Sequence, residues 1–461
     1  MVDTPSAEVA ARCAAAGAAA VRLADPEAFP LATRARWLRA IADALDADGE
    51  GLVALAADET GLAEARLTAE LARTTGQLRL FAEVAGRGDF LDVVIEPATG
   101  ATPEVRRMNV PIGPVAMYAA SNFPFAISVA GGDTAAALAA GCPVVAKAHP
   151  GHPRLSRRTA GLVAEALADA PDGTFALVEG FEAGKALVTA PEIRAAAFTG
   201  SARGGRALYD LAASRPDPIP FYGELGSVNP VFVTRAAVAA RGAEIAAGFA
   251  ASFTGSAGQL CTKPGLLFLP AGHGLGEPLA RAVAAVGPHP LLTPGIGEAY
   301  AKELARRASA LTVLAGPADA GGGEAAPTLL AVRADQLTAD LWDELFGPSA
   351  IVVEYDSEDE LRTAAEAMPG SLTASVHAEE DDDALVRDLL ALAARRAGRL
   401  VVNGWPTGVA INTATHHGGP WPATTFAGAT SMGTAAIRRF LVPVAYQNVP
   451  ERLLPPPLRS A

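Results

Sequence analysis

One cysteine stands in a setting that suits nucleophilic chemistry. Cys261 follows the glycine-rich stretch Thr254–Gln259 and lies three positions before Pro264. Glycine lets the backbone turn tightly and approach a ligand, so an accessible thiol here could be activated as a thiolate. A buried, unreactive cysteine is the alternative, and the motif alone leaves the two interpretations even.

Two further polar residues could assist such a nucleophile. Glu224 stands between apolar residues and two glycines within Phe221–Pro230, where loss of water would strengthen it as a general base. Asn122 follows a predicted strand, where α/β proteins place functional groups, and its side-chain amide could stabilise an oxyanion. The alternatives are an ordinary loop carboxylate and a turn-forming asparagine.

A glycine-containing segment, Phe198–Gly205, follows a predicted strand and opens a predicted helix. It differs from the G-x-G-x-x-G fingerprint, since Gly200 and Gly205 are five positions apart. A glycine turn onto a helix N-terminus still suits a pyrophosphate, because the free N–H groups there favour an anion. Taken alone, the segment is a weak signal of nucleotide binding.

The elements that must position these residues begin as helices. Over Val21–Leu55 apolar residues recur at helical spacing, with interruptions at two proline-containing dipeptides. Extended segments are predicted at 91–95 and 104–110. The next stretch alternates, with predicted strands at 115–119, 143–146, 175–179 and 195–198, and predicted helices at 125–140 and 154–169. This βαβα pattern indicates a parallel sheet in a nucleotide-binding domain.

A second alternation of strands and helices runs from Asn229 to about Phe426. Its predicted strands are 230–233, 265–269, 350–355 and 399–403. Its predicted helices lie near 236–250, 275–286, 298–309, 358–367 and 382–396. Residues 434–447 are predicted to be extended again. The pattern indicates a second α/β domain.

Composition and charge exclude several classes of protein. A chain of 461 residues that is half hydrophobic predicts two or three globular domains. A net charge of −13 with no basic tract argues against nucleic-acid binding. Three cysteines in so long a chain favour a reducing compartment, so we expect a cytoplasmic location. The apolar run 134–146 is too short to span a bilayer, and the N-terminus lacks signal-peptide features.

The order of six motifs along the chain resembles the aldehyde dehydrogenase superfamily. They are Ser-Asn-Phe-Pro, Pro-Val-Val-Ala-Lys, Phe-Thr-Gly-Ser, Gly-Glu-Leu-Gly, Gly-Gln-Leu-Cys-Thr and Glu-Leu-Phe-Gly-Pro. Segments 128–134, 147–150, 223–232 and 417–425 are similar to its NADP-linked branch, which contains α-ketoglutaric semialdehyde (2,5-dioxovalerate) dehydrogenases. Ala120 and Ser121 depart from the pattern, since many members have Pro and Trp there.

The resemblance implies a role for each catalytic candidate. Cys261 would attack the aldehyde carbon, the Asn122 amide and the Cys261 N–H would hold the oxyanion, and Glu224 would activate the water that hydrolyses the thioester. His417, or its neighbour His416, would lie near the cysteine, although a structural histidine is equally compatible. The implied reaction converts α-ketoglutaric semialdehyde to 2-oxoglutarate. The alternatives are another aliphatic or aromatic aldehyde, an acyl-phosphate or acyl-CoA reductase, and a non-catalytic NADP-binding protein.

The resemblance also implies a nicotinamide cofactor and no metal. The residues expected to bind the cofactor are Lys147, His149, Pro150, Gly200, Ser201, Gly205, Leu225, Glu344 and Phe346. Pro150 stands where NAD-preferring relatives carry an acid, and His149, His152 and Arg154 lie nearby. Because this position lacks the carboxylate that would repel a 2′-phosphate, we expect NADP, with NAD possible.

The fold implied is α/β, with three parts. A Rossmann-type NAD(P)-binding domain is expected at 1–90 and 110–225, and a catalytic domain at 226–428. A small β oligomerisation arm is expected at 91–109 and 429–461. Because such arms add strands to a neighbour's sheet, the resemblance implies a homodimer or homotetramer.

Overall fold

The computed structural model describes residues 3–317 and 324–460, so both chain ends and 318–323 of the expected catalytic domain lie outside the described residues. The chain divides into two compact units. The first comprises the described residues as far as Gly223, Ile411–Thr415, and the described residues from Ala429 onward. The second comprises the described residues of Glu224–Ala410 together with His416–Gly428.

The described residues form helices and strands in the following order. The helices are α1 Ser6–Leu23, α2 Leu31–Ala47, α3 Gly49–Thr60, α4 Glu64–Arg87, α5 Gly132–Ala140, α6 Pro153–Ala166, α7 Phe181–Thr189, α8 Ala202–Ala213, α9 Arg235–Thr254, α10 Gly276–Ala284, α11 Pro294–Ala310, α12 Glu358–Ala367 and α13 Asp383–Ala393. The strands are β1 Val94–Glu96, β2 Val105–Pro111, β3 Val115–Tyr118, β4 Val144–Lys147, β5 Phe175–Val178, β6 Ala195–Thr199, β7 Phe221–Glu224, β8 Val231–Val233, β9 Leu266–Pro270, β10 His289–Pro290, β11 Thr312–Ala315, β12 Glu324–Ala325, β13 Thr328–Arg333, β14 Ser349–Tyr355, β15 Ser371–His377, β16 Ala397–Val402 and β17 Leu441–Gln447.

The first unit is built around a five-stranded sheet of order β5-β4-β3-β6-β7. The pairings of β3 with β4 and β6, and of β4 with β5, are parallel. Alternate residues of each strand enter different cores, because successive side chains point to opposite faces of a sheet. Val115 and Met117 pack with helices α2, α4 and α5, whereas Ala116 and Tyr118 pack with α1 and α7.

A separate antiparallel sheet of order β1-β2-β17 also belongs to the first unit. Strands β1 and β17 fall within the ranges expected for the oligomerisation arm, and β2 extends two residues beyond them, to Pro111. Strand β17 pairs along its whole length with β2, from Leu441 opposite Pro111 to Gln447 opposite Val105. The oligomerisation role of this sheet stays a prediction.

The second unit contains a seven-stranded sheet of order β11-β13-β14-β9-β8-β15-β16. Its pairings are parallel except for β11 with β13. The central strands are apolar on both faces: Val231 and Leu267 pack toward helix α9, and Phe232 and Phe268 pack on the other side. Such continuous apolar runs are typical of parallel strands covered by helices. The expected α/β class is therefore confirmed.

Some sequence-based boundaries were wrong. The helix predicted at 125–140 begins only at Gly132, because the preceding backbone is held in an irregular path, where the Glu70 carboxylate accepts the N–H groups of Phe125 and Ala126. Residues 434–440 form 3-10 turns, and only 441–447 are extended. Strand β15 was missed because its Ser and Thr residues make the segment look polar, although every residue of the strand is buried. None of the described helices is long and apolar enough to cross a membrane.

Candidate active site

Cys261 lies in the loop between α9 and β9, and the backbone before it is unusually constrained. Ser256 and Ala257 have left-handed φ values of 52° and 53°, which residues other than glycine rarely adopt. At Gly258 (φ 66°), a Cβ would lie 2.1 Å from the carbonyl oxygen of Gly347. Only glycine therefore fits there, and the loop packs directly on the Glu344–Pro348 segment.

Asn229 fixes the backbone on the other side of the nucleophile. This residue is fully buried with φ 52°. Its Nδ2 donates to the carbonyl oxygens of Cys261 (2.9 Å) and Lys263 (3.0 Å). Its Oδ1 accepts the N–H of Thr373 at 3.1 Å. One amide thus ties the cysteine loop to strand β15.

Three side chains of the second unit come together at the cysteine. The Sγ of Cys261 lies 3.5 Å from Nε2 of His417, and the same Nε2 lies 3.0 Å from Oε1 of Glu224. The side chains of His417 and Glu224 are only 1% and 3% exposed, whereas Cys261 is partly exposed. Because a carboxylate and a thiolate are both acceptors, we assign the imidazole proton to Nε2.

The carboxylate and the histidine are held together by their backbones. Glu224 forms an antiparallel bridge with Thr424, and the N–H of Leu225 donates to the Ala423 carbonyl oxygen at 2.7 Å. A Cβ at Gly398 of β16 would lie 2.0 Å from the carbonyl oxygen of Gly418. These contacts hold the segment that carries His417 against Glu224, Leu225 and Gly398, all within the second unit.

The chemistry of this cluster suits a nucleophile with an adjacent base. A thiol, an imidazole and a carboxylate in a hydrogen-bonded chain can generate and hold a thiolate or accept a proton from water. The three ligand atoms also lie within 4.8 Å of one another, a set that Zn²⁺ accepts. The expectation of no resident metal stays a prediction.

The other two cysteines have no comparable setting. Cys13 and Cys142 are both buried and free. Burial raises the pKa of each thiol to about 11. Their thiols are therefore protonated and weakly reactive at neutral pH.

A buried lysine, which the sequence analysis did not single out, supports the segment expected to meet the nicotinamide. Lys263 is 2% exposed, and its Nζ donates to the carbonyl oxygens of Leu345 and Ser349, both at 2.8 Å. Burial raises the pKa of Glu344 and lowers that of Lys263, and the attraction between the two charges opposes both shifts. Phe346, two residues on, is partly exposed. Only the position of Lys263 beside the Cys261 motif could have drawn attention to it.

In the first unit, Gly200, Ser201 and Gly205 lie at the N-terminus of α8, and their binding of a pyrophosphate stays a prediction. Ser201 caps the helix, and its Oγ accepts the N–H of Gly204 at 3.2 Å. A Cβ on Gly200 would lie 2.7 Å from the Phe198 ring, so the turn needs glycine. Gly200 and Ser201 are exposed while Gly205 is buried. The exposed N-terminus fits the phosphate groups of a dinucleotide.

Lys147 ends strand β4, and the residues after it form the turn before α6. Burial lowers the pKa of Lys147, and the charge of Asp3 opposes this shift. Burial also lowers the pKa of His149 to about 3, and its Nδ1 accepts the N–H of Gly151 at 3.0 Å. The imidazole is therefore neutral at physiological pH. Pro150 is exposed.

The basic residues expected near a 2′-phosphate are otherwise engaged. The Nε2 of His152 lies 2.9 Å from the carbonyl oxygen of Ala120, and burial lowers the pKa of this imidazole. Arg154 forms ion pairs with Asp58 and Glu59. The expectation of NADP therefore depends more on the absence of a carboxylate at Pro150 than on the nearby basic residues.

Asn122 lies in the first unit, in the irregular stretch after β3, and is 7% exposed. Its backbone carbonyl oxygen accepts a hydrogen bond from Nη2 of Arg66 at 2.7 Å. Arg66 and Arg73 also lie over the ring of Phe123, with centroid distances of 5.2 and 5.7 Å. The backbone around the amide is therefore well anchored.

Two parallel α/β sheets, a capped helix that suits phosphates and a Cys–His–Glu cluster define an enzyme of the cofactor-binding α/β class. Residues 1–287 match the model of the aldehyde dehydrogenase family. The chain belongs to the aldehyde dehydrogenase family, as its motif order indicated.

Characterised relatives agree with this membership. The chain is 45% identical over 455 residues to α-ketoglutaric semialdehyde dehydrogenase 2 of Azospirillum brasilense. The match covers 94% of this chain and 86% of the relative. It is 44% identical to α-ketoglutaric semialdehyde dehydrogenase of Acinetobacter baylyi, covering 93% of this chain and 84% of the relative.

A solved structure of a proline utilization A mutant from Bradyrhizobium japonicum has a TM-score of 0.82 and 26% identity to this chain. The match covers 97% of this chain and only 45% of that longer one. The structure of an NAD-dependent aldehyde dehydrogenase from Sinorhizobium meliloti has a TM-score of 0.79 and 26% identity, with 96% of this chain and 87% of that one covered. Together with the family match, it confirms the expected aldehyde dehydrogenase fold.

Proposed function

We propose that the protein oxidises α-ketoglutaric semialdehyde to 2-oxoglutarate with NADP. The observation that carries the proposal is the chain of contacts from Cys261 Sγ to His417 Nε2 (3.5 Å) and on to Glu224 Oε1 (3.0 Å). It supplies a nucleophile and a base at one place. The substrate rests on the names of the relatives that are 44–45% identical over most of the chain.

Each residue of the cluster has a separate task in the reaction. The thiolate of Cys261 attacks the aldehyde carbon and forms a thiohemiacetal. This carbon then loses a hydride, for which a bound nicotinamide would be the acceptor, and Cys261 is left carrying a thioester. Glu224 then takes a proton from water, whose oxygen attacks the thioester carbon and releases the acid and the thiol. The Nε2–H of His417 orients the carboxylate. The oxyanion role of Asn122 stays a prediction from the resemblance.

Each unit, taken by itself, contains residues that are expected to bind the dinucleotide cofactor. The first unit offers the exposed N-terminus of α8 and the partly buried amine of Lys147. The second offers the side chain of Glu344, which precedes the backbone held by Lys263, and the partly exposed ring of Phe346. We propose NADP over NAD because Pro150 presents no charge to a 2′-phosphate. NAD stays the alternative.

The proposal is tested with purified enzyme, a panel of aldehydes and both cofactors. We expect kcat/KM to be highest with α-ketoglutaric semialdehyde and NADP, and 2-oxoglutarate to be the product by chromatography. Preference for a plain aliphatic or aromatic aldehyde would overturn the substrate. Cys261→Ala should abolish turnover, and iodoacetamide should inactivate the native enzyme in step with alkylation of Cys261. Full activity after alkylation would reject the mechanism.

We also propose a cytoplasmic homodimer or homotetramer that assembles through the β1-β2-β17 sheet. Strand β1 is a short edge strand whose Val94 and Ile95 are at least partly exposed, so it could pair with a neighbour's strand. Light scattering gives the mass in solution. A monomer would contradict this proposal and leave the catalytic one intact.

A further inference from the structure

Arg399 on strand β16 is a partly buried cation whose guanidinium donates to backbone carbonyl oxygens. Its Nη1 and Nη2 donate to the backbone carbonyl oxygens of Gly408 (2.9 Å) and Pro406. Its Nε is buried and, among the described residues, has no hydrogen-bond partner. Within the same residues no carboxylate forms an ion pair with the guanidinium. Among the described residues, two of its five N–H groups are thus engaged, both by neutral carbonyl oxygens rather than by a carboxylate.

Other inward-facing arginines of this unit are balanced. Arg307, which is 4% exposed, bonds to the carboxylate of Glu303, and Arg241 bonds to that of Glu379. Burial lowers the pKa of Arg399, yet an arginine keeps its proton in proteins. Because an unpaired charge removed from water costs free energy, such a site gains when an anion binds.

Arg399 lies near the catalytic cysteine. The Cys261 thiolate opposes the burial effect on Arg399, so the two groups interact electrostatically. The neighbouring residue, Gly398, packs against the Gly418 carbonyl and the ring of His416. The next residue of that segment, His417, contacts the Cys261 sulfur. Strand β16 therefore borders the nucleophile's cluster.

We propose that Arg399 binds the distal carboxylate of the aldehyde that Cys261 attacks, and so selects acidic semialdehydes over neutral aldehydes. This inference rests on the proposed function. In α-ketoglutaric semialdehyde, four C–C bonds separate the aldehyde carbon from the carboxylate carbon, a span of roughly 5 Å when extended. A guanidinium fork suits a carboxylate at that end, because it can donate two parallel hydrogen bonds.

Arg399 also supports the backbone of the 406–408 loop through its two carbonyl contacts. A loss of activity alone would therefore not distinguish substrate binding from loop support. Arg399→Gln removes the charge and keeps one donor for the loop, whereas Arg399→Lys keeps the charge and loses the fork. Arg395→Gln is the matched control, since Arg395 is exposed and lies four residues before Arg399.

The test compares 5-oxopentanoate with pentanal, which have the same chain length and differ in the carboxylate. In Arg399→Gln, kcat/KM should fall roughly 10- to 100-fold for 5-oxopentanoate and α-ketoglutaric semialdehyde, mainly through KM, since hydrogen bonds to charged groups contribute this much. For pentanal, kcat/KM should change less than about threefold, as expected for a site that loses no contact with that substrate. Arg399→Lys should be intermediate, and Arg395→Gln should match the native enzyme. Thermal unfolding of each variant checks the fold.

Three results for Arg399→Gln would overturn the inference. An equal fall in kcat/KM for both aldehydes would indicate loop support, and an equal fall with slower alkylation of Cys261 would indicate an effect through the thiolate. Unchanged kcat/KM values for both aldehydes are the third. If α-ketoglutaric semialdehyde is not oxidised but the 5-oxopentanoate preference is lost in Arg399→Gln, the proposed substrate fails and the inference stands. If it is oxidised and the preference survives the substitution, the inference alone fails.

Discussion

Replacing Glu224 by glutamine isolates the hydrolytic half of the reaction. The amide has the shape of the carboxylate, and its oxygen can still accept the Nε2–H of His417, now 3.0 Å from Oε1. A charged hydrogen bond is exchanged for a neutral one, while a buried charge is removed from a side chain that is 3% exposed. These effects oppose each other, so the free energy of unfolding should change by no more than about 1 kcal/mol.

The catalytic effect of Glu224→Gln should be much larger. General-base catalysis contributes roughly 10²- to 10⁴-fold, so steady-state turnover should fall by that factor while thioester formation continues. Rapid mixing with substrate should give a burst of reduced cofactor of about one equivalent per Cys261 thiol, followed by a slow phase. Mass spectrometry should find the acyl group on the cysteine.

Cys261→Ala is the control and should show no burst. Full steady-state turnover of Glu224→Gln would refute the assignment of Glu224 as the base. A variant with neither burst nor turnover would place the carboxylate before the thioester, for example in activating the thiol.

Three further predictions follow from the structure. Added Zn²⁺ should inhibit reversibly and protect the catalytic thiol from iodoacetamide, because the three clustered ligand atoms lie within 4.8 Å; inhibition that a chelator does not reverse would contradict this. Pro150→Glu, at an exposed position, should lower kcat/KM for NADP at least about tenfold more than for NAD, because a carboxylate repels the 2′-phosphate; equal changes would contradict the cofactor assignment. Asn229→Ala should lower the free energy of unfolding by roughly 2–4 kcal/mol, since it leaves buried carbonyl groups without a hydrogen-bond donor. It should also slow alkylation of Cys261. A native melting temperature would contradict the proposed support of the cysteine loop by Asn229.

Much of the architecture follows from the sequence. Strands Val231–Val233 and Leu266–Pro270 were predicted within one or two residues, whereas the apolar strand Thr328–Arg333 was missed. Strand Ser371–His377 was missed because its hydroxyl-bearing residues read as polar. The hydroxyl group of Thr373 is buried because Asn229, 144 residues away in sequence, accepts its hydrogen bond. Local pattern cannot report a partner that distant.

The sequence by itself determined which chemistry the chain carries: a cysteine, a carboxylate and a glycine turn in the order typical of aldehyde dehydrogenases. Only the tertiary structure decided which groups meet. His417 contacts Cys261 across 156 residues and Glu224 across 193. Folding places Lys263 where its amine donates to two backbone carbonyl oxygens, and it leaves the buried Nε of Arg399 without a hydrogen-bond partner among the described residues. Residue type sets what a side chain can do. Its charge environment depends on segments that only folding brings together.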